Sequence, residues 1–114
     1  MQLFVHITSQ ESSVTPILHH MMERGITGAS VLDCEGMLSS INADSEDAPP
    51  IFGSLRQYLN PQRPPHKMII VLLKDEDIAI MKSIIHEVSG SLKLPNTGIF
   101  FTLPVTNWEG VSHK

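Results

Sequence analysis

The sequence predicts an α+β domain, a ferredoxin-like double βαβ sandwich in which a four-stranded antiparallel sheet carries two helices and a long loop insert separates strands 2 and 3. Three observations lead there. Residues 1–34 carry a strand pattern, an amphipathic helix and a second strand. Residues 66–105 repeat that order. Residues 35–65 between the two units have the composition of a connection rather than of a core element. At 114 residues the chain is expected to form a single domain, 1–114, able to bury a modest core without staples.

Alternation over residues 1–8 predicts the first strand, with Met1, Leu3, Val5 and Ile7 on one face and Phe4 among the polar residues of the other. The first helix follows from Val14, Ile17, Leu18 and Met21, spaced i, i+3, i+4, i+7 so that one stripe faces the sheet. Ser12 or Ser13 is placed to cap its N-terminus. Pro16 falls in the first turn, where a missing N–H costs little, and Gly25 stands at the C′ position. Residues 26–34 predict the second strand. Its start, Gly28-Ala29-Ser30, is poor in bulk, and small side chains let another group approach the backbone closely.

The insert divides into three sections. Residues 35–48 are polar and acidic around Asp44-Ser45-Glu46-Asp47 and are expected to be mobile when unbound. After Pro49-Pro50, residues 51–59 predict a short helix whose apolar face, with Leu55 and Leu59, either docks on the body of the domain or binds a partner. Residues 60–65, rich in proline, predict an extended, rigid return to the third strand.

The second half is more apolar. Residues 66–73 do not alternate, which predicts a central strand covered on both faces. Asp75, Glu76 and Asp77 bring negative charge to the start of the second helix, whose buried stripe is Ile78, Met81, Ile85 and Val88 and whose end is Gly90. The last strand, 98–103, puts Ile99, Phe101 and Leu103 on one face and Phe100 on the other. Two helices can cover only one side of a four-stranded sheet. A sheet apolar on both sides needs a further layer, and a second copy of the chain is the expected cover, so the sequence predicts a homo-oligomer.

Composition excludes several classes of function. The net charge is −4 and the eight Lys and Arg residues are scattered, so no nucleic-acid partner is expected. Cys34 is the single cysteine, which rules out an internal disulfide and fits a reducing, cytoplasmic setting. The N-terminal residues do not follow a signal-peptide pattern. The longest apolar run, 68–73, is far shorter than the ~20 residues a membrane span needs, so no membrane insertion is expected.

Chemical motifs are few. The chain holds no P-loop, dinucleotide fingerprint, paired-cysteine site or zinc-protease signature. No catalytic residue and no metal site are predicted. His19 and Glu23, one helical turn apart beside His20, have a spacing common among exposed residues. His6 and His66 could lie close in the sheet, in a hydrogen-bonded structural role or as a catalytic pair. His86 is expected in solvent. Cys34 is expected to be a small buried thiol without an activating neighbour. Arg56 and Arg63 either capture an anionic ligand or form surface salt bridges.

Several stretches taken in order have a relative. The run Gly25-Ile26-Thr27-Gly28-Ala29-Ser30-Val31, then Gly36, the long loop, the apolar third strand, Asp75-Glu76, Gly90 and Ile99-Phe100-Phe101-Thr102-Leu103-Pro104-Val105 resemble the nitrogen regulatory protein P-II superfamily over nearly the whole chain. The resemblance implies a PII-like signal-transduction protein. It would be a homotrimer of ferredoxin-like subunits that binds a small effector in intersubunit clefts and regulates a target protein, a transporter or a metabolic enzyme, through the 35–65 loop. It implies a cleft wall at Gly28, Ala29 and Ser30, a loop root at Gly36 and Met37, and a facing wall at Gly90.

The chain also departs from the family pattern. Leu92-Lys93-Leu94-Pro95-Asn96-Thr97-Gly98 stands where nucleotide-binding members carry Gly-Asp-Gly-Lys, and no paired arginines follow the last strand. Tyr58 lies outside any Tyr-Arg-Gly-x-Glu-Tyr motif, so nucleotidylation is not carried over. The effector is left open between an adenine nucleotide and a small anion such as bicarbonate, and no cofactor is specified. Two readings from other classes stand beside this one: a ligand-independent structural adaptor, and a small ferredoxin-like enzyme using His6 and His66.

Overall fold

The computed structural model describes residues 1–36, 66–90, 92 and 98–111. In chain order the elements are β1 (Gln2–Thr8), α1 (Val14–Glu23), β2 (Ser30–Cys34), β3 (His66–Leu73), α2 (Ile78–Ser89) and β4 (Ile99–Pro104). Short 3₁₀ turns, Glu11–Ser13 and Asp75–Asp77, lead into the two helices. The strands form one sheet in the order β2-β3-β1-β4, and every neighbouring pair is antiparallel. This is an α+β architecture of four antiparallel strands and two helices, compatible with a ferredoxin-like fold. The predicted helix at 51–59 and the extended return at 60–65 lie outside the described residues, as do Met37, Arg56 and Arg63.

Register decides which strand residues share a face. Phe4, His6 and Thr8 of β1 stand opposite Val71, Ile69 and Lys67 of β3, and Phe4 and His6 stand opposite Thr102 and Phe100 of β4. On this side Phe4, Ile69, Val71 and Leu73 join Val14, Ile17 and Met21 of α1 and Met81, Ile84 and Ile85 of α2 in one core cluster. Phe4 and Phe100 stack with ring centroids 5.3 Å apart, a geometry worth about 0.5–1.5 kcal/mol beyond the area it buries. The apolar stripes predicted for both helices therefore point at the sheet. Leu18, Ile78 and Val88 pack at the edge of the core, and Ile84 adds a fully buried position that the predicted stripe lacked.

Helix ends follow from backbone chemistry. Gly25, with φ 78°, closes α1: the Gly25 N–H donates to the Met22 carbonyl at 3.1 Å and the Ile26 N–H to the Met21 carbonyl at 2.8 Å. This is a Schellman closure, and its usual apolar contact is supplied by Met21 and Ile26, both in the core cluster. That closure also corrects the predicted extent of the second strand. Ile26 is held back against the helix and Gly28 has φ 88°, so pairing with β3 starts only at Ser30 rather than at residue 26.

The expected serine cap is likewise replaced. Neither Ser12 nor Ser13 caps α1 with its side chain. The Ser13 hydroxyl donates to the Gln10 carbonyl at 2.7 Å and the Ser13 N–H donates to the same oxygen at 2.9 Å, closing the 3₁₀ turn that precedes the helix. Asp75, in the acidic turn that leads into α2, also accepts a hydrogen bond from Gln2 Nε2 at 3.2 Å and lies 3.3 Å from the amino group of Met1. Both donors hold its carboxyl below the usual range, the Gln2 bond most strongly.

Candidate functional site

The second face of the sheet carries the residues that the core does not use. Leu3, Val5 and Ile7 of β1 stand opposite Leu72, Ile70 and Met68 of β3 and opposite Leu103, Phe101 and Ile99 of β4. Ser30, Leu32 and Cys34 of β2 extend this face beyond β3, opposite Ile70, Met68 and His66. It is the more apolar of the two alternating faces of β1, and no helix among the described residues packs on it, since both helices contribute to the core on the other side. Ile99 is 57% exposed, Leu103 49%, Leu32 44% and Phe101 42%, whereas the core residues Phe4 and Ile69 are fully buried. Val5, at the middle of this face, is buried yet stands outside the core cluster.

That geometry corrects one expectation. β3 is interior in sheet order, as its unbroken apolar run predicts, but the helices cover it on one side only. Ile69, Val71 and Leu73 are buried; Met68, Ile70 and Leu72 are half-buried. The apolar run needs cover on both sides, and the described part of one chain supplies it on one.

The residues assigned to a cleft separate into two groups. Gly28, Ala29 and Ser30 lie just before and at the start of β2; Gly28 and Ser30 are exposed, while Ala29 packs against the core. Gly36 lies at the other end of β2, where the 35–65 loop begins. Between Ser30 and Cys34 the strand extends about 13 Å, so in one chain the two groups flank opposite ends of the sheet. Gly90 is exposed at the end of α2. A Cβ at Gly90 or Gly28 would meet nothing within 4 Å, so both positions are open to an approaching group.

The loop root itself is tightly closed. A Cβ at Gly36 would lie 2.0 Å from Cε1 of His66, so the imidazole rests directly on the Gly36 backbone. His66 pairs in register with Cys34, and these three residues bring the two ends of the loop together. Cys34 is half-buried; burial, and then the neighbouring Asp33 carboxylate, push its thiol above the ordinary value and away from the thiolate form. Beside it, across β2 and β3, the Lys67 ammonium pairs with Asp33 and, at 3.8 Å, with Glu11 ahead of α1. The hydrogen bond from Lys67 to Asp33 is the main reason the ammonium is held above its ordinary value.

His6 and His66 do not form a site. His6 is on the helix side of the sheet opposite Ile69, and His66 is on the open side opposite Cys34, so the sheet itself separates them. His6 is fully buried, with Nδ1 2.9 Å from the Ile99 carbonyl and Nε2 without a hydrogen-bond partner among the described residues. Burial lowers its pKa from the ordinary 6.5, against the opposing effect of the bond to Ile99. Nothing in the alternation of residues 1–8 signalled that a histidine rather than an aliphatic residue would occupy the core face.

The remaining polar candidates are dispersed. Glu23 lies 3.9 Å from Nδ1 of His20 on the exposed side of α1. Among the described residues no group of three or more His, Cys, Asp or Glu side chains could hold a metal ion. His86 is exposed on α2 and tilts against Phe100, ring centroids 6.4 Å apart. Trp108, which no sequence pattern singled out, is 49% exposed after β4. No helix among the described residues is long and apolar enough to cross a membrane. Compared with known proteins, the chain matches no family model and no curated protein.

Proposed function

We propose that the chain is a non-catalytic, PII-like regulatory protein: copies assemble as a homotrimer through the open sheet face, a small effector binds in the clefts between them, and the 35–65 loop engages a target protein. The observation that carries this reading is the apolar face spanning all four strands, from Leu32 through Ile70 and Val5 to Phe101, which the two helices leave uncovered. On it Leu32, Ile99, Phe101 and Leu103 are 42–57% exposed; apolar residues exposed together on one face mark an interaction surface, and a second copy offers the same chemistry in return. The ferredoxin-like assignment with its loop insert, and a cytoplasmic location, belong to the same reading.

The division of the cleft residues supports assembly from a second direction. Gly28, Ala29 and Ser30 lie at one end of β2 and Gly36 at the other, so a single cleft using both is made by two copies rather than one. In such a cleft the small residues admit the effector close to the backbone, and Arg56 and Arg63 supply positive charge if the effector is anionic. The effector is an adenine nucleotide or a small anion such as bicarbonate; the target is a transporter or a metabolic enzyme. Binding acts by differential affinity for ordered and disordered forms of the loop.

Solution mass and a thermal titration of the full chain test the reading together. The expected result is a species of three times the chain mass, reduced to the chain mass by Phe101→Glu, with a saturable rise in Tm for ATP, ADP, AMP, cyclic AMP or bicarbonate. Ligand at ~100 times its Kd adds about 2.7 kcal/mol per site, enough to read as a shift. A monomeric wild type overturns the assembly. A trimer indifferent to all five compounds supports the second reading, an adaptor whose partner binding needs no small molecule. The missing Gly-Asp-Gly-Lys stretch at 92–98 favours that second reading.

A further inference from the structure

We propose that His6 is an acid-sensitive latch on β4: proton uptake by its imidazole loosens the pairing of β4 with β1 and thereby breaks up the open face through which copies associate. The consequence for assembly rests on the self-association proposed above; the latch itself rests on the position of His6.

Among the described strands β4 pairs with β1 alone. It enters the sheet at Ile99, and there His6 Nδ1 lies 2.9 Å from the Ile99 carbonyl. A carbonyl oxygen can only accept, so Nδ1 carries the hydrogen and Nε2 carries the lone pair. Nε2 is the atom that takes up the next proton, and it is buried without a partner among the described residues.

Among the described residues the surroundings of the ring offer an imidazolium no carboxylate; the polar groups on this side are hydroxyls, those of Thr8 and of Ser89, whose Oγ is buried without a partner among the described residues. On its own strand the neighbours on the same face are Phe4 and Thr8; across the sheet they are Ile69 and Phe100. The inward positions of the helices are Ile17 and Met21 on α1 and Met81, Ile84 and Ile85 on α2. Titratable groups stand farther out. Lys67, opposite Thr8, is a like charge already engaged by Asp33 and Glu11. His86 is exposed, on the α2 side of Phe100.

An imidazolium here would be a buried charge with no carboxylate facing it among the described residues, and the ring escapes that cost by turning toward water. Turning breaks the bond to Ile99. The first residue of β4 then loses its side-chain tie to β1 and is left on its strand pairing with Ile7, which can fray from that end, and β4 brings Ile99, Phe101 and Leu103 to the open face. Protonation on one side of the sheet is thus transmitted to the other through the strand itself.

The test compares wild type with His6→Asn, whose amide keeps a donor near the place of Nδ1 and does not titrate. Amide exchange over β4, corrected for intrinsic rates, and sedimentation mass are measured at about pH 7.5 and about pH 5, either side of the ordinary histidine range. In the wild type, β4 protection is expected to fall about tenfold or more relative to the β1–β3 pairing, with a parallel loss of mass, while the variant stays unchanged. Equal protection of wild-type β4 at both pH values, or the same acid loss in the variant, overturns the latch. A chain that is monomeric at both pH values but loses β4 protection only in the wild type supports the latch and refutes the assembly. If the variant does not fold, the wild-type NMR titration decides. Resonances of β4 amides that follow the His6 imidazole support the proposal; independent midpoints overturn it.

Discussion

His6 makes the fold sensitive to acid, and the sign follows from where its proton goes. Its folded-state pKa lies below the ordinary 6.5 because burial opposes the charged form. The unfolded chain therefore takes up the proton first, so its contribution to stability is complete above about pH 6.5 and is lost as pH falls through the window down to the folded-state value. The slope from one proton cannot exceed about 1.4 kcal/mol per pH unit. Urea melts across this window are expected to show that slope in the wild type and a shallower one in His6→Asn. Gly98 is a second decisive position. At φ 116° a Cβ would lie 2.5 Å from the Ile7 carbonyl oxygen, which is backbone and cannot swing aside. Gly98→Ala is expected to cost about 2 kcal/mol or more in urea, strain and clash together. Gly36 behaves differently, because the atom a Cβ would strike belongs to the His66 ring. Gly36→Ala should destabilise little once His66 is shortened to Ala, and a double-mutant cycle on the two is expected to show strong coupling.

Among the elements, the two helices owe their position to packing more than to capping. Neither has a side-chain cap bond at its N-terminus, and a 3₁₀ turn leads into each. What holds them is the row of apolar residues against Phe4, Ile69, Val71 and Leu73. Ile84→Ala, which removes a fully buried side chain, is therefore expected to cost about 2–5 kcal/mol in denaturant melts. Gly25→Ala is the milder comparison. A Cβ there meets nothing within 4 Å, so only the φ of 78° opposes it and about 1 kcal/mol is expected. Both helix stripes and both terminating glycines are legible in the sequence, because a 3.6-residue period and a residue tolerant of positive φ are local properties. The start of β2 is not legible. It depends on where β3 offers a partner, and that is a property of the sheet.

For the whole molecule, the open face is the dominant feature. Each half-exposed side chain such as Ile99, Phe101 or Leu103 gains on the order of 1 kcal/mol when its remaining surface leaves water. Several must act together to exceed the cost of association, which is ~4–15 kcal/mol. A charge placed at Phe101 removes one contribution and adds the desolvation of a carboxylate, so Phe101→Glu is expected to shift the proposed assembly to single chains while leaving the circular dichroism spectrum of the folded chain in place. A Thr102→Glu change on the same strand but opposite face, next to Phe4 in register, should instead lower stability.

For the described residues, the element types and order, the inward stripes of both helices and the two-faced apolarity of the sheet are legible in the sequence, since these are written in periodicities of two and 3.6 residues. Which face of β1 meets the helices is set by packing between distant parts of the chain. Alternation puts Leu3, Val5 and Ile7 on one face and Phe4 on the other; the face that meets the helices is that of Phe4, His6 and Thr8. Alternation says that residues share a face and not which layer lies above it. It was also register that placed His6 and His66 on opposite sides of the sheet and set Gly28 and Gly36 at opposite ends of β2. Pairing between strands far apart in the chain is fixed by the summed packing of the sheet and its helices, a quantity that no local stretch of residues contains.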